Sequence, residues 1–167
     1  MAWFGRRERP PASLVALLDP DERVVSWADT ADGAVVAATP RGVWWPFPSG
    51  PRRIPWELVD KAVWHDGELI VIEADLVDDL LLVDRPAVSA ALVRPRDLPP
   101  TVRKRVEGNI VQRELVAVPG GSVRFVARRR PGIDGVTWWA RLEPGTLETD
   151  EVRAAIRARV ELLRARD

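Results

Sequence analysis

Three Asp-Gly pairs, Asp32-Gly33, Asp66-Gly67 and Asp134-Gly135, constrain this chain more than any other feature. Tight hairpin turns need positive φ, which glycine and aspartate tolerate best, so an Asp-Gly pair between alternating apolar runs predicts two adjacent antiparallel strands. Strands are accordingly expected over 23–28, 34–39, 42–45, 58–65, 69–74 and 80–83, with a further one over 87–93. Arg52-Arg53-Ile54-Pro55-Trp56 leads into the fourth of these, its proline marking an edge or a bulge. Six or seven short strands joined by tight turns predict an antiparallel meander, the pattern of a sandwich or small barrel.

The periodicity then changes. Pro99-Pro100 suits a first helical turn, where amide hydrogens have no partner anyway, and Leu98, Val102, Val106 and Ile110 recur every four residues as one apolar stripe. Strand patterns return over 111–118, 122–129 and 136–142, with Pro119-Gly120-Gly121 as a turn. Thr149 or Asp150 caps a last helix whose Val152, Ile156, Val160 and Leu163 form a stripe, with acids at its start and arginines towards its end. At the other terminus, residues 1–12 read as a flexible tail. Its twin Arg6-Arg7 lacks the apolar stretch of an export signal. Ser13 is expected to cap a short helix carrying Leu14, Leu17 and Leu18, which Pro20 ends. No apolar run approaches the ~20 residues of a membrane span, so a soluble, cytoplasmic protein is expected. The expected organisation is a tail over 1–12, a barrel domain over 13–110 and a C-terminal unit over 111–167 packed on it.

Several short motifs carry a resemblance. Asp21-Glu22-Arg23-Val24-Val25, then 35–39 with Pro40-Arg41-Gly42-Val43-Trp44-Trp45, resembles the start of bacterial pleckstrin-homology (PH)-like domains. In those domains an acidic residue precedes the first strand and a Thr-x-Arg segment joins the second strand to the third. Arg53-Ile54-Pro55-Trp56-Glu57-Leu58-Val59 is similar to their Ile-Pro-aromatic lead into the next strand. The resemblance covers roughly 22–110, and the chain as a whole is similar to actinobacterial proteins that carry such a domain. It implies an α+β, β-rich fold: a PH-like antiparallel barrel closed by a helix, followed here by a strand-strand-strand-helix unit. PH-like barrels bind phospholipid heads, peptides or other proteins. The basic loop that grips phosphoinositides would lie between the first two strands, where this chain has the short acidic Asp29-Thr30-Ala31-Asp32-Gly33.

The composition removes most catalytic chemistries. No cysteine is present, which excludes disulfides, thiol catalysis and thiolate zinc sites, and the single histidine, His65, makes a histidine relay or His-based metal centre improbable. His65 stands beside Asp66-Gly67 and is read as a turn residue rather than a general base, which would need a pocket and an orienting partner. The acids Glu68, Glu73, Asp75, Asp78, Asp79 and Asp84 lack the regular spacing around a glycine that a calcium loop needs, and are expected to be solvated. There is no nucleophile elbow and no Gly-rich phosphate loop after a strand. No enzyme activity, metal or cofactor is expected.

Charge and aromatics point instead to binding. The 25 basic and 25 acidic side chains cancel, but the acids concentrate over 57–84 and the bases over 85–130. If the strands over 122–129 and 136–142 pair, alternation puts Arg124, Arg128, Arg141 and Trp139 on one face, with Arg129 and Arg130 at the loop. Guanidinium groups interleaved with an aromatic ring suit a nucleic acid or an anionic membrane surface. They equally suit salt bridges to the acidic half, or a place beneath the last helix with their heads snorkelling outwards. Trp44, Trp45 and Phe47 precede a proline-rich loop. Alternation cannot bury both tryptophans on one face, so one of them, or Phe47, is expected either to anchor a protein partner or to pack on the C-terminal unit. The function read from the sequence is non-enzymatic binding or scaffolding, foremost of a protein partner, with an anionic ligand as the alternative and an enzyme with no recognisable motif as the third reading.

Overall fold

The structure is a computed structural model, and it describes residues 8–167. The expectation of a flexible tail concerns, for 1–7, residues outside the described ones. The fold is α+β with about twice as much strand as helix, and its first sheet curls into a half-barrel. A one-turn helix α1 (Ala12–Val15) leads in. Its N-cap is Pro11, with no side-chain cap, so Ser13 sits inside the turn rather than capping it.

Strands β1 (Ser26–Asp29), β2 (Val35–Ala38), β3 (Gly42–Phe47) and β4 (Gly50–Pro55) form a four-stranded sheet in chain order. The stretch read as a proline-rich loop is in fact the tip of the β3–β4 hairpin. Register explains how the prolines fit. Pro46 faces Pro51 and Gly42 faces Pro55. These pairs share one phase of the ladder, in which the paired residues exchange no backbone bonds, so a missing N–H costs nothing between the strands.

A 3-10 turn (Trp56–Leu58) then carries the chain into β5 (Val59–His65) and the ten-residue β6 (Glu68–Val77). Strand β6 is longer than either partner on its second edge. Its Glu68–Val71 half pairs with β8 (Val88–Ala91), and its Ala74–Val77 half pairs with β7 (Leu81–Asp84). The expected simple meander is therefore interrupted: β7 and β8 follow one another along one edge of β6, broken at Pro86, which has no N–H to continue a ladder. Alternation reveals a strand but not its partner. The Thr30–Leu92 bridge and the Ala31 N–H to Ala91 carbonyl bond (2.9 Å) join β8 back to the first sheet. Helix α2 (Leu98–Asn109) fills the curl, burying Leu98, Val102 and Val106 against Val36, Val43, Trp45, Ile54, Trp56 and Leu69.

The remaining strands, β9 (Ile110–Val118), β10 (Gly121–Arg128) and β11 (Thr137–Leu142), pair antiparallel in the order β9-β10-β11. Strand β11 meets β7 in a parallel contact, Ala140 opposite Leu81. The C-terminal sheet is thus not built from 111–167 alone, because the β6–β7 hairpin reaches into it. Helix α3 (Asp150–Arg164) covers one face, with Val152, Ile156, Val160 and Leu163 buried against Val123, Phe125, Trp138 and Ala140. The Thr149 hydroxyl caps it by accepting from the Val152 N–H at 3.2 Å. On the other face Val126 and Trp139 pack on Ala74 and Leu82, between the two bodies. Among the described residues no helix is long and apolar enough to cross a membrane.

Candidate functional site

The residues that carried the PH-like resemblance contact one another. Glu22, whose side chain is wholly buried, accepts from the Thr39 hydroxyl (2.6 Å), the Trp44 indole (3.2 Å), Arg53 (2.7 Å) and the Asp19 N–H (3.1 Å). Arg41 reaches across to Asp19 and Asp21, both at 2.6 Å. A buried carboxylate needs its lone pairs filled, and Thr39, Trp44, Arg53 and the Asp19 N–H fill those of Glu22, clamping the lead-in segment onto β2–β4. The Arg53 guanidinium beside Asp19 holds that carboxyl below its ordinary value of 3.8.

The aromatic trio divides between the two faces of β3. Trp45 is 3% exposed and belongs to the first core. Phe47 packs half-buried on that core under the Arg52 guanidinium, 4.2 Å from its ring centroid. Trp44 lies on the opposite face, tied to Glu22.

Arg128, Arg141 and Trp139 of the predicted basic face are turned inward, whereas Arg129 and Arg130 are exposed and Arg124 is half-buried. Arg128 is 1% exposed and donates to the Val59 carbonyl (3.0 Å) and Asn109 Oδ1 (3.4 Å), with Asp60 at 3.7 Å. Burial pushes its guanidinium down to about 10, against the opposing pull of Asp60. Arg141 sits 2.9 Å from Asp60 and 2.5 Å from Asp84. Arg124 bonds Glu143 at 2.7 Å, Arg130 lies 3.7 Å from Glu57, and Trp139 is 2% exposed. Only Arg129, of the five arginines, has no ion-pair partner among the described residues. The acids over 57–84 are engaged by arginines in turn: Glu73 by Arg52, Asp75 by Arg85, Asp78 by Arg153 and Asp79 by Arg164. His65 and Asp66 are exposed in their turn, and the described residues contain no group of three metal-type ligands.

Two openings flank α2. One groove, of about 590 Å³, runs between β5 and α2. Five consecutive β5 residues, Asp60 to Trp64, form one wall; Pro99, Pro100, Arg103, Val106 and Glu107 form the other, and Ile110 and Arg113 close the end. The second cleft, of about 930 Å³, lies between the far flank of α2 and the loop over 129–136. Lys104, Arg105, Arg129 and Arg130 rim it, and Asp134 is the only acid among the described residues that line it. Lys61 and Arg113 at the groove, and Lys104, Arg105 and Arg129 at the cleft, have no ion-pair partner among the described residues, whereas most arginines elsewhere are paired. Sequence reasoning missed Lys61, Trp64, Lys104, Arg105 and Arg113. A signal existed: the run Arg103-Lys104-Arg105 falls off the apolar stripe of α2, and the chain's only two lysines each line one of the two openings.

No family profile, no curated protein and no solved structure matches the chain. The fold and its surfaces define an α+β protein in which five of the cations left unpaired among the described residues, Lys61, Lys104, Arg105, Arg113 and Arg129, line the two openings beside α2.

Proposed function

We propose that this chain is a non-enzymatic, PH-like binding module, akin to actinobacterial proteins with such domains, that takes an extended segment of a protein partner along the free edge of β5. Support for the PH-like reading comes from the four-stranded sheet, the return of β5, β6 and β8 around one core, and the helix that fills it. The observation that carries the binding role is the wall of the groove. No strand pairs with the outer edge of β5 among the described residues. The turn Asp66-Gly67, with φ of 50° and 75°, makes His65 and Glu68 its closing pair, so residues 61, 63 and 65 bond β6 while the N–H and C=O groups of Ala62 and Trp64 point outward. A partner strand would supply their missing bonds, with α2 as the opposite wall. Leu69 and Val106 give the groove an apolar floor, and Trp64, 41% exposed, offers a contact at its rim.

A peptide-display library panned on the folded protein tests this. Selected peptides are expected to shift the Ala62 and Trp64 amide resonances and to lose binding in Ala62→Pro, which deletes one outward N–H at an edge position that tolerates proline. Peptides that bind elsewhere, or Ala62→Pro binding unchanged, would overturn the reading.

A further inference from the structure

We infer that the larger cleft, on the other flank of α2, is a second and separate docking site, for an acidic protein segment bearing an apolar side chain. Its four rim cations come from two elements: Lys104 and Arg105 from α2, Arg129 and Arg130 from the loop that follows β10. The separation between these pairs is set. The Arg129 N–H donates to the Asn109 carbonyl at 2.9 Å, and the Asn109 side-chain amide donates back to the Arg129 carbonyl. This reciprocal pair fastens the loop to the end of the helix, so the cations are positioned before any ligand arrives, which lowers the ordering cost of binding. Arg130 leans on Glu57 only at 3.7 Å, and the other three have no ion-pair partner among the described residues.

The lining selects among anions. Val25 and Ile133 are exposed there, 39% and 52%, beside Pro40, Pro131 and Val136, so the surface between the charges is apolar. A single nucleic-acid strand would need an aromatic face to stack on, but Trp56, the only aromatic among the described residues of the lining, is 2% exposed. A membrane surface would need a protruding rather than a recessed contact. A lone phosphate would leave the exposed Val25 and Ile133 between the charges uncovered. Carboxylates spaced along a peptide, with an apolar side chain between them, match both features.

The test is fluorescence anisotropy on the full chain with a fluorescein-labelled peptide of glutamates interrupted by leucines, beside an all-glutamate peptide and an oligo-dT strand. The glutamate-leucine peptide is expected to bind best, to weaken as salt rises, and to lose about tenfold or more in affinity in Lys104→Glu/Arg129→Glu. Both substituted side chains are exposed, and circular dichroism checks that the variant stays folded. Ala62→Pro is expected to leave this binding unchanged, so failure here and failure of the β5 reading are told apart. No binding by the folded wild type, equal binding by the charge-reversed variant, or tighter binding of oligo-dT would overturn the inference.

Discussion

Replacing Asp60 by alanine removes the carboxylate that faces both Arg128 and Arg141 at the junction of the two bodies. Burial pushes the Arg128 guanidinium down to about 10 even with Asp60 present, so the folded state already carries a desolvation cost for this charge. Without Asp60 that charge is buried with less compensation. Breaking a buried pair costs ~3–5 kcal/mol, and since Asp60 keeps 26% exposure the lower end applies, about 3 kcal/mol. Arg128→Met is expected to behave differently, because it removes the charge together with its desolvation cost. It leaves the Val59 carbonyl and Asn109 Oδ1 short of a donor, which offsets the gain to within about 1 kcal/mol. The double variant should then be more stable than Asp60→Ala alone. Urea unfolding of all four proteins at neutral pH reads the cycle. A loss under about 1 kcal/mol in Asp60→Ala, or an equally large loss in Arg128→Met, would refute the argument that the pair is retained against a desolvation cost.

Two further outcomes follow from packing and charge. Ile156→Ala should cost about 2–5 kcal/mol in the same urea assay, since Ile156 is 2% exposed in the second core; a loss below about 1 kcal/mol would mean that α3 is not integral to the fold. Asp19 and Asp75 have carboxyls held below 3.8, mainly by hydrogen bonds from Arg53 and Arg85 respectively. Their stabilisation is complete above that value and is lost as pH falls through the lower folded values, so an acid titration of stability should stay level to about pH 5 and decline below 4, with Asp19→Asn making the decline shallower.

Much of the fold was legible because it rests on local chemistry. Asp32-Gly33 and Asp66-Gly67 predicted hairpins at turns that the structure contains, and the period of four in Leu98, Val102 and Val106 marked the buried side of α2. Less legible was anything set by partners distant in the chain. Nothing local distinguishes a β8 that pairs with β7 from one that pairs with β6, or shows that β7 lies beside β11. The basic face illustrates the same limit. Alternation placed Arg124, Arg128, Arg141 and Trp139 together, but whether they face solvent depends on Asp60 and Val59 of a strand more than sixty residues away. The two clefts were invisible for a related reason: each is a space between elements, and only the packing of α2 creates both.

Helix α2 both packs into the first core and flanks the two proposed docking sites, and Asn109 at its end is where the two roles can be probed together. Its carbonyl and side-chain amide hold Arg129, its Oδ1 accepts from Arg128, and its side chain is nearly buried. Asn109→Ala removes the side-chain bonds while leaving the Lys104, Arg105, Arg129 and Arg130 charges in place. If those charges act only through their sum, affinity for the glutamate-leucine peptide should not change. If their fixed spacing matters, loosening the loop raises the ordering cost and affinity should fall about three- to tenfold, that is by roughly 0.7–1.4 kcal/mol. The β5 groove supplies the internal control: Asn109 does not line it, so binding of a display-selected peptide there should hold constant. Equal losses at both sites would mean that Asn109→Ala perturbs α2 as a whole, and an unchanged cleft would show that preorganisation by Asn109 contributes nothing.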